Sequence, residues 1–101
     1  MKQTLISYTT KPGLSDENAR LIRDVFDELR QTSPSGLAYC ALRAENGQFF
    51  HFIQTPDGAA PFEQSKAFAA FQRDIKERLL APPQRTDVTI IGSYGMAASE
   101  T

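Results

Sequence analysis

"LAYCALRAENGQFFHFIQ", Leu37 to Gln54, is the stretch on which the fold turns. Two runs rich in aromatic and aliphatic residues flank Glu45, Asn46 and Gly47, and Asn46-Gly47 suits the positive φ angles of a tight hairpin turn. The stretch therefore predicts two antiparallel strands. In the second of them Phe49, His51 and Ile53 share one face and Phe50, Phe52 and Gln54 the other; in the first, Leu37, Tyr39 and Ala41 oppose Ala38, Cys40 and Leu42. A sheet with helices on one side and water on the other alternates apolar with polar residues. These strands are apolar on both faces, so both faces need cover.

N-terminal to the hairpin, "TLISYTT" (Thr4 to Thr10) reads as a first strand, closed by the turn residues Lys11 to Gly13. Ser15 is placed to cap a helix, with Asp16 and Glu17 in its first turn, where carboxylates oppose the positive end of the helix dipole. Ala19, Ile22, Val25 or Phe26, and Leu29 recur at helical spacing. Asp16 with Arg20 and Arg23 with Asp27 are expected as ion pairs on its solvated side. Asn18 reads as a first-turn helix residue and Asn46 as a turn residue, and "TSPSG" at Thr32 to Gly36 stops the helix.

C-terminal to the hairpin, "TPDG" (Thr55 to Gly58) makes a turn, and a second helix is expected from about Pro61. Its stripe is Phe62, Phe68, Phe71, Ile75 and Leu79, with Arg73–Glu77 and Asp74–Arg78 pairs outside, and "APPQ" at Ala81 to Gln84 ends it. "DVTIIGSYG", Asp87 to Gly95, is the expected last strand; it too lacks a polar side, since Val88, Ile90 and Tyr94 oppose Thr89, Ile91 and Ser93. The order β-α-β-β-α-β predicts an α+β, ferredoxin-like fold with an antiparallel four-stranded sheet. One domain over 1–96 is expected, with a frayed tail over 97–101.

Two helices cover one face of such a sheet, and a large exposed aromatic patch is unusual on a monomer. A second copy of the chain, related by a two-fold axis, is the economical cover, which predicts a homodimer through the sheet face. Phe50 and Phe52 form the more uniformly apolar pair and are assigned to the helix side, so that His51 faces the partner sheet.

The bulk properties narrow the function. The chain has 101 residues, 11 Lys and Arg against 12 Asp and Glu, and a formal charge of -1, which leaves no basic footprint for nucleic acid. No apolar run approaches a bilayer span and no leader is evident, so no membrane partner is expected and a cytoplasmic location follows by default. The single cysteine, Cys40, is expected to be a small buried hydrophobe. One histidine without clustered carboxylates gives no metal site.

"LISYTTKPG", "AFAAFQRDIKERLLAPP" and "VTIIGSYG", with the F-x-H of Phe49 and His51, the AFxxFQ of Ala67 to Gln72 and the GSY of Gly92 to Tyr94, resemble the antibiotic biosynthesis monooxygenase-like family of dimeric α/β-barrel proteins. The resemblance implies a small homodimer that oxidises an aromatic phenol- or quinone-type compound with O2, without metal or flavin, in a cavity between sheet and helices. In such a reaction the substrate supplies the electrons, and the protein supplies a base, donors and a dry pocket. His51 is the candidate base, because an unperturbed imidazole titrates near neutrality. Tyr39, Tyr94 and Tyr8 are candidate donors to a substrate oxygen, and Phe49 and Ile53 are candidate lining on the His51 face. The chain has no Trp, which departs from the Asn, Trp and Tyr or His sets of the characterised oxygenases, and its second helix carries Phe68, Phe71 and Gln72 where haem-degrading relatives carry an axial histidine. Two other readings stand beside the oxygenase: a ligand-binding protein without turnover, and a domain whose sheet face serves only to dimerise.

Overall fold

The computed structural model describes residues 1–96; the expected tail over 97–101 lies outside the described residues. The elements are β1 (Lys2–Thr9), α1 (Ser15–Thr32), β2 (Ala38–Arg43), β3 (Gln48–Thr55), α2 (Lys66–Gln72), α3 (Ile75–Arg78) and β4 (Gln84–Asp87). The strands form one antiparallel sheet in the order β2-β3-β1-β4, the ferredoxin-like arrangement, with β1 and β3 at its centre.

The helix-side face is opposite to the expected one. Phe49 and His51 are buried under the helices, whereas Phe50 and Phe52 are half-buried on the other side of the sheet. Counting apolar residues per face misassigned them because the imidazole is fully satisfied inside the protein, so a polar residue at that position carries no penalty. The far face carries Leu5, Cys40, Leu42, Phe50 and Phe52, with Leu42 57% exposed and Cys40 exposed, not buried as expected.

Local turn chemistry differs in detail from that expected of the sequence. Gly47 takes φ +86° but Asn46 does not share a positive φ; Gly47 N–H bonds Ala44 O at 3.1 Å, and Asn46 Oδ1 accepts from Gln48 N–H at 3.0 Å. The connection is thus a turn followed by one left-handed glycine, with an Asx contact. Ser15 is the first helical residue of α1, and Leu14, with no side-chain cap, precedes it. Ser15 Oγ instead accepts from Arg43 on β2 at 3.3 Å. The expected pairs Asp16–Arg20 and Arg23–Asp27 are replaced: Arg20 meets Glu17 and Asp24, Arg30 meets Asp27, and Arg43 reaches Asp16.

The second helical region is two short helices, not one long one. Ser65 caps α2, its Oγ accepting from Phe68 N–H at 2.9 Å and donating to Glu28 of α1. Glu28 also accepts from Ala67 N–H at 3.2 Å, which ties the start of α2 to α1. The helix breaks at Arg73 and Asp74, the latter in the left-handed region at φ +58°, a conformation that Asp tolerates better than most residues. The stripe survives the break, since Phe71 and Leu79 are buried and Ile75 packs on the core.

The last strand lies earlier than expected. β4 is Gln84–Asp87, entirely exposed, pairing Ser7 through Thr4 of β1, and Val88 N–H bonds Gln3 O at 3.0 Å. In that antiparallel register Asp87 already faces Thr4, so β1 runs out of residues two positions later. Ile90, Ile91, Tyr94 and Met96 consequently extend past the sheet and are exposed.

Candidate functional site

The sheet register assembles the site around His51. On central strand β3, His51 stands directly opposite Ile6 of β1 and Ala41 of β2, while Tyr8 and Tyr39 lie one diagonal step away on the same face. Diagonal neighbours are within reach of long side chains, and both tyrosines use that reach. Tyr8 Oη lies 2.7 Å from His51 Nε2, and Tyr39 Oη lies 2.6 Å from His51 Nδ1.

The chain of bonds continues into the helices. Asn18 Nδ2 donates to Tyr8 Oη at 2.9 Å, and Arg78 Nε donates to Asn18 Oδ1 at 3.0 Å. Asn18 is 0% and Arg78 7% exposed. Arg78 has no carboxylate partner among the described residues. Its other donors meet the carbonyls of Phe71 and Arg73, at the end of α2 that the break leaves open, and its guanidinium lies 5.4 Å from the Phe71 ring centroid. The negative end of the helix dipole and these carbonyls replace a counter-ion. Arg78 was expected on the outer side paired with Asp74; the break in the helix turns it inward.

The order of donors in this chain is determined by its first member. A guanidinium only donates, so Asn18 must present Oδ1 to Arg78 and its amide N–H to Tyr8. Tyr8 Oη then accepts from Asn18, and its own hydrogen has His51 Nε2 as acceptor. The opposite arrangement would strand the Tyr8 hydrogen in a buried place, at a cost of about 1–3 kcal/mol. His51 is therefore the Nδ1–H tautomer, donating to Tyr39, and the Tyr39 hydroxyl hydrogen is left without an acceptor among the described residues.

Burial governs the proton affinities. His51 is 3% exposed, and desolvation lowers its pKa to about 4. Desolvation likewise raises Tyr8 to about 12, against smaller opposing effects of the Asn18 hydrogen bond and the Arg78 charge. Tyr39 is also pushed up, first by desolvation and then by the neighbouring Tyr8. At neutral pH the group is a neutral imidazole between two protonated phenols. The lowered proton affinity makes His51 a hydrogen-bonding imidazole and not a cation at neutral pH.

Next to this chain lies a cavity of about 850 Å3 between the sheet and α2–α3. Tyr8, Tyr39, His51 and Ile53 line it from the sheet, and Phe62, Phe68 and Phe71 from the opposite side. Two sequence candidates are placed elsewhere. Phe49 is buried in the core, stacked on Tyr8 at 5.6 Å, and is not a lining residue; Tyr94 is 98% exposed in the C-terminal extension, because the last strand ends at Asp87. Among the described residues no three His, Cys, Asp or Glu side chains gather as metal ligands.

Asn18 and Arg78 were missed as site residues, although a signal existed. Asn18, Ile22, Val25 and Leu29 are spaced by four, three and four, and Phe71, Ile75 and Arg78 by four and three, so each polar residue sits within an apolar stripe. A polar residue in such a stripe is the informative exception.

No protein-family model matches the chain, and neither does any functionally curated protein. Solved structures do match. A Nitrosomonas europaea protein of unknown function is 22% identical, with 96% of this chain and 96% of that chain covered and a TM-score of 0.70. A protein named antibiotic biosynthesis monooxygenase is 20% identical, with 91% of this chain and 100% of that chain covered and a TM-score of 0.68. A provisionally named antibiotic biosynthesis monooxygenase from Bacteroides thetaiotaomicron is 13% identical, with 97% and 95% covered and a TM-score of 0.76. The likeness spans nearly the whole chain at low identity, and what it establishes is architecture: this chain has the ferredoxin-like fold of the antibiotic biosynthesis monooxygenase-like proteins.

Proposed function

We propose that this protein is a monooxygenase-like homodimer that takes a small phenol- or quinone-type aromatic into the cavity of each protomer and oxidises it with O2, with no metal or flavin. The observation that carries the reading is the aromatic cavity into which Tyr39 offers the surplus hydrogen of the Arg78–Asn18–Tyr8–His51–Tyr39 chain. Tyr39 donates to the substrate oxygen and favours its ionised, electron-rich form, whose proton leaves toward solvent. The CH2 carbon activated by that ionisation then reacts with O2: one oxygen atom becomes the new carbonyl, and the other departs as water with the carbon's remaining hydrogen and the proton taken back from solvent. His51 acts through Tyr39 as a positioning residue. The fold shared with proteins named antibiotic biosynthesis monooxygenases supports the choice of reaction.

The low proton affinity of His51 favours a second reading, ligand binding without turnover. Oxygen consumption separates the two. Anthrone-type substrates should drive O2 uptake above the buffer rate, reduced by Tyr39→Phe. Thermal stabilisation by the same compounds without O2 uptake leaves binding alone.

The homodimer is supported by the open sheet face of Leu5, Leu42, Phe50 and Phe52, and by the exposure of Ile90, Ile91, Tyr94 and Met96. In that assembly Tyr94 is available to a partner, not to its own cavity.

A further inference from the structure

The charges around the cavity are all of one sign. Lys2 at the start of β1, Lys76 on α3 and Arg85 on β4 belong to its lining, and no Asp or Glu does. This is not the average of the chain, which carries 12 Asp and Glu against 11 Lys and Arg. None of the three forms an ion pair among the described residues, and all three are exposed, so they stand at the mouth with the aromatic residues deeper in. The nearest acidic residues on the same elements, Glu77 beside Lys76 and Asp87 beside Arg85, are outside the lining. The inner end has the same sign, because the buried Arg78 guanidinium joins the chain through Asn18 and has no carboxylate partner.

We infer that the cavity selects an anionic aromatic: a flat hydroxylated ring system among Phe62, Phe68 and Phe71, its hydroxyl on Tyr39, and a carboxylate held at the mouth by Lys2, Lys76 and Arg85. The inference deepens the functional reading above and rests on it. A low-dielectric pocket lined by one sign of charge concentrates the opposite sign, and uncompensated cations at its rim have no competing internal partner. Aromatic walls supply affinity and by themselves do not favour an anion, so the rim cations set the preference. The three cations come from three elements on two sides of the cavity, so the carboxylate is grasped at the entrance and the ring is directed inward.

Fluorescence titration with three probes of similar shape tests this: naphthol, hydroxynaphthoate and aminomethylnaphthol. The carboxylate should bind roughly ten-fold tighter than naphthol at low ionic strength, and the amine more weakly than naphthol. In about 1 M salt, where charges are screened within about 3 Å, the preference should largely vanish. The Lys2→Gln, Lys76→Gln, Arg85→Gln triple variant, confined to exposed side chains, should bring the affinity ratio of carboxylate to naphthol near one. Equal binding of carboxylate and naphthol, or a ratio unchanged in the triple variant, overturns the inference while leaving an aromatic site. Failure of naphthol and hydroxynaphthoate alike to bind overturns both the inference and the aromatic reading beneath it.

Discussion

Arg78 Nε–H donates to Asn18 Oδ1 at 3.0 Å, joining the last helix to the first turn of α1 and starting a chain of hydrogen bonds that ends at the cavity. The bond makes the stability of the helical layer depend on the site. Asn18→Leu keeps the volume but removes a partner from a buried guanidinium and from Tyr8 Oη, and should cost about 2–4 kcal/mol in urea unfolding. Arg78→Met should cost a similar amount. Because the two share one bond, the double variant should be less destabilised than the sum by about 1 kcal/mol or more. Strict additivity would show that the contact is incidental.

Stability should fall in mild acid because of His51. The folded pKa is about 4, below the ordinary value of 6.5, so between these two the unfolded chain binds the proton that the folded protein refuses. The contribution of this depressed group is fully present above about pH 6.5 and is lost as pH falls toward 4. Between pH 7.5 and 5 it should amount to about 2 kcal/mol. His51→Gln should flatten the profile in that window; a wild-type profile equally flat from pH 7.5 to 5 contradicts the assignment.

Tyr39→Phe removes the one surplus donor while keeping its ring stacked on Phe26, whose centroid lies 4.6 Å away. Affinity for a naphthol probe should drop roughly ten-fold, the value of one buried hydrogen bond, and stability should fall by about 1–3 kcal/mol, because the buried His51 Nδ1–H loses its acceptor. Unchanged affinity would place the ligand oxygen elsewhere.

Light scattering after size exclusion should give twice the chain mass at micromolar concentration. Leu42→Glu, which puts a charge on the open sheet face, should yield monomers with the helix-side core intact. A wild-type monomer removes the homodimer from the account.

Much of the architecture was legible in the order of elements. The hairpin, the α1 stripe and the βαββαβ succession depend on local periodicity and turn residues, and these survive in the structure. The failures share one physical origin, long-range pairing. Which face of β3 meets the helices depends on whether His51 finds partners, and those partners, Tyr8 and Tyr39, are 43 and 12 residues away. The end of β4 is set by the first residue of β1, not by the β-branched run at Val88 to Ile91. The helix break at Asp74 is invisible in a stripe that continues through it, because the compensation is Arg78 reaching back to the freed carbonyls. Of the site, Tyr8, Tyr39, His51 and Ile53 came together as cavity lining; Phe49 and Tyr94 did not, and Asn18 and Arg78 entered from helix positions read as first turn and solvated side.

The central claim, a chain of donors running from Arg78 through a neutral His51 to Tyr39, is tested most directly by nitrogen-15 NMR of the imidazole. The chain contains 1 histidine, so the spectrum needs no assignment. The account predicts a neutral ring protonated at Nδ1, with Nε2 as the acceptor, held from pH 8 down to about 5. An imidazolium at pH 6, or hydrogen resident on Nε2, contradicts it.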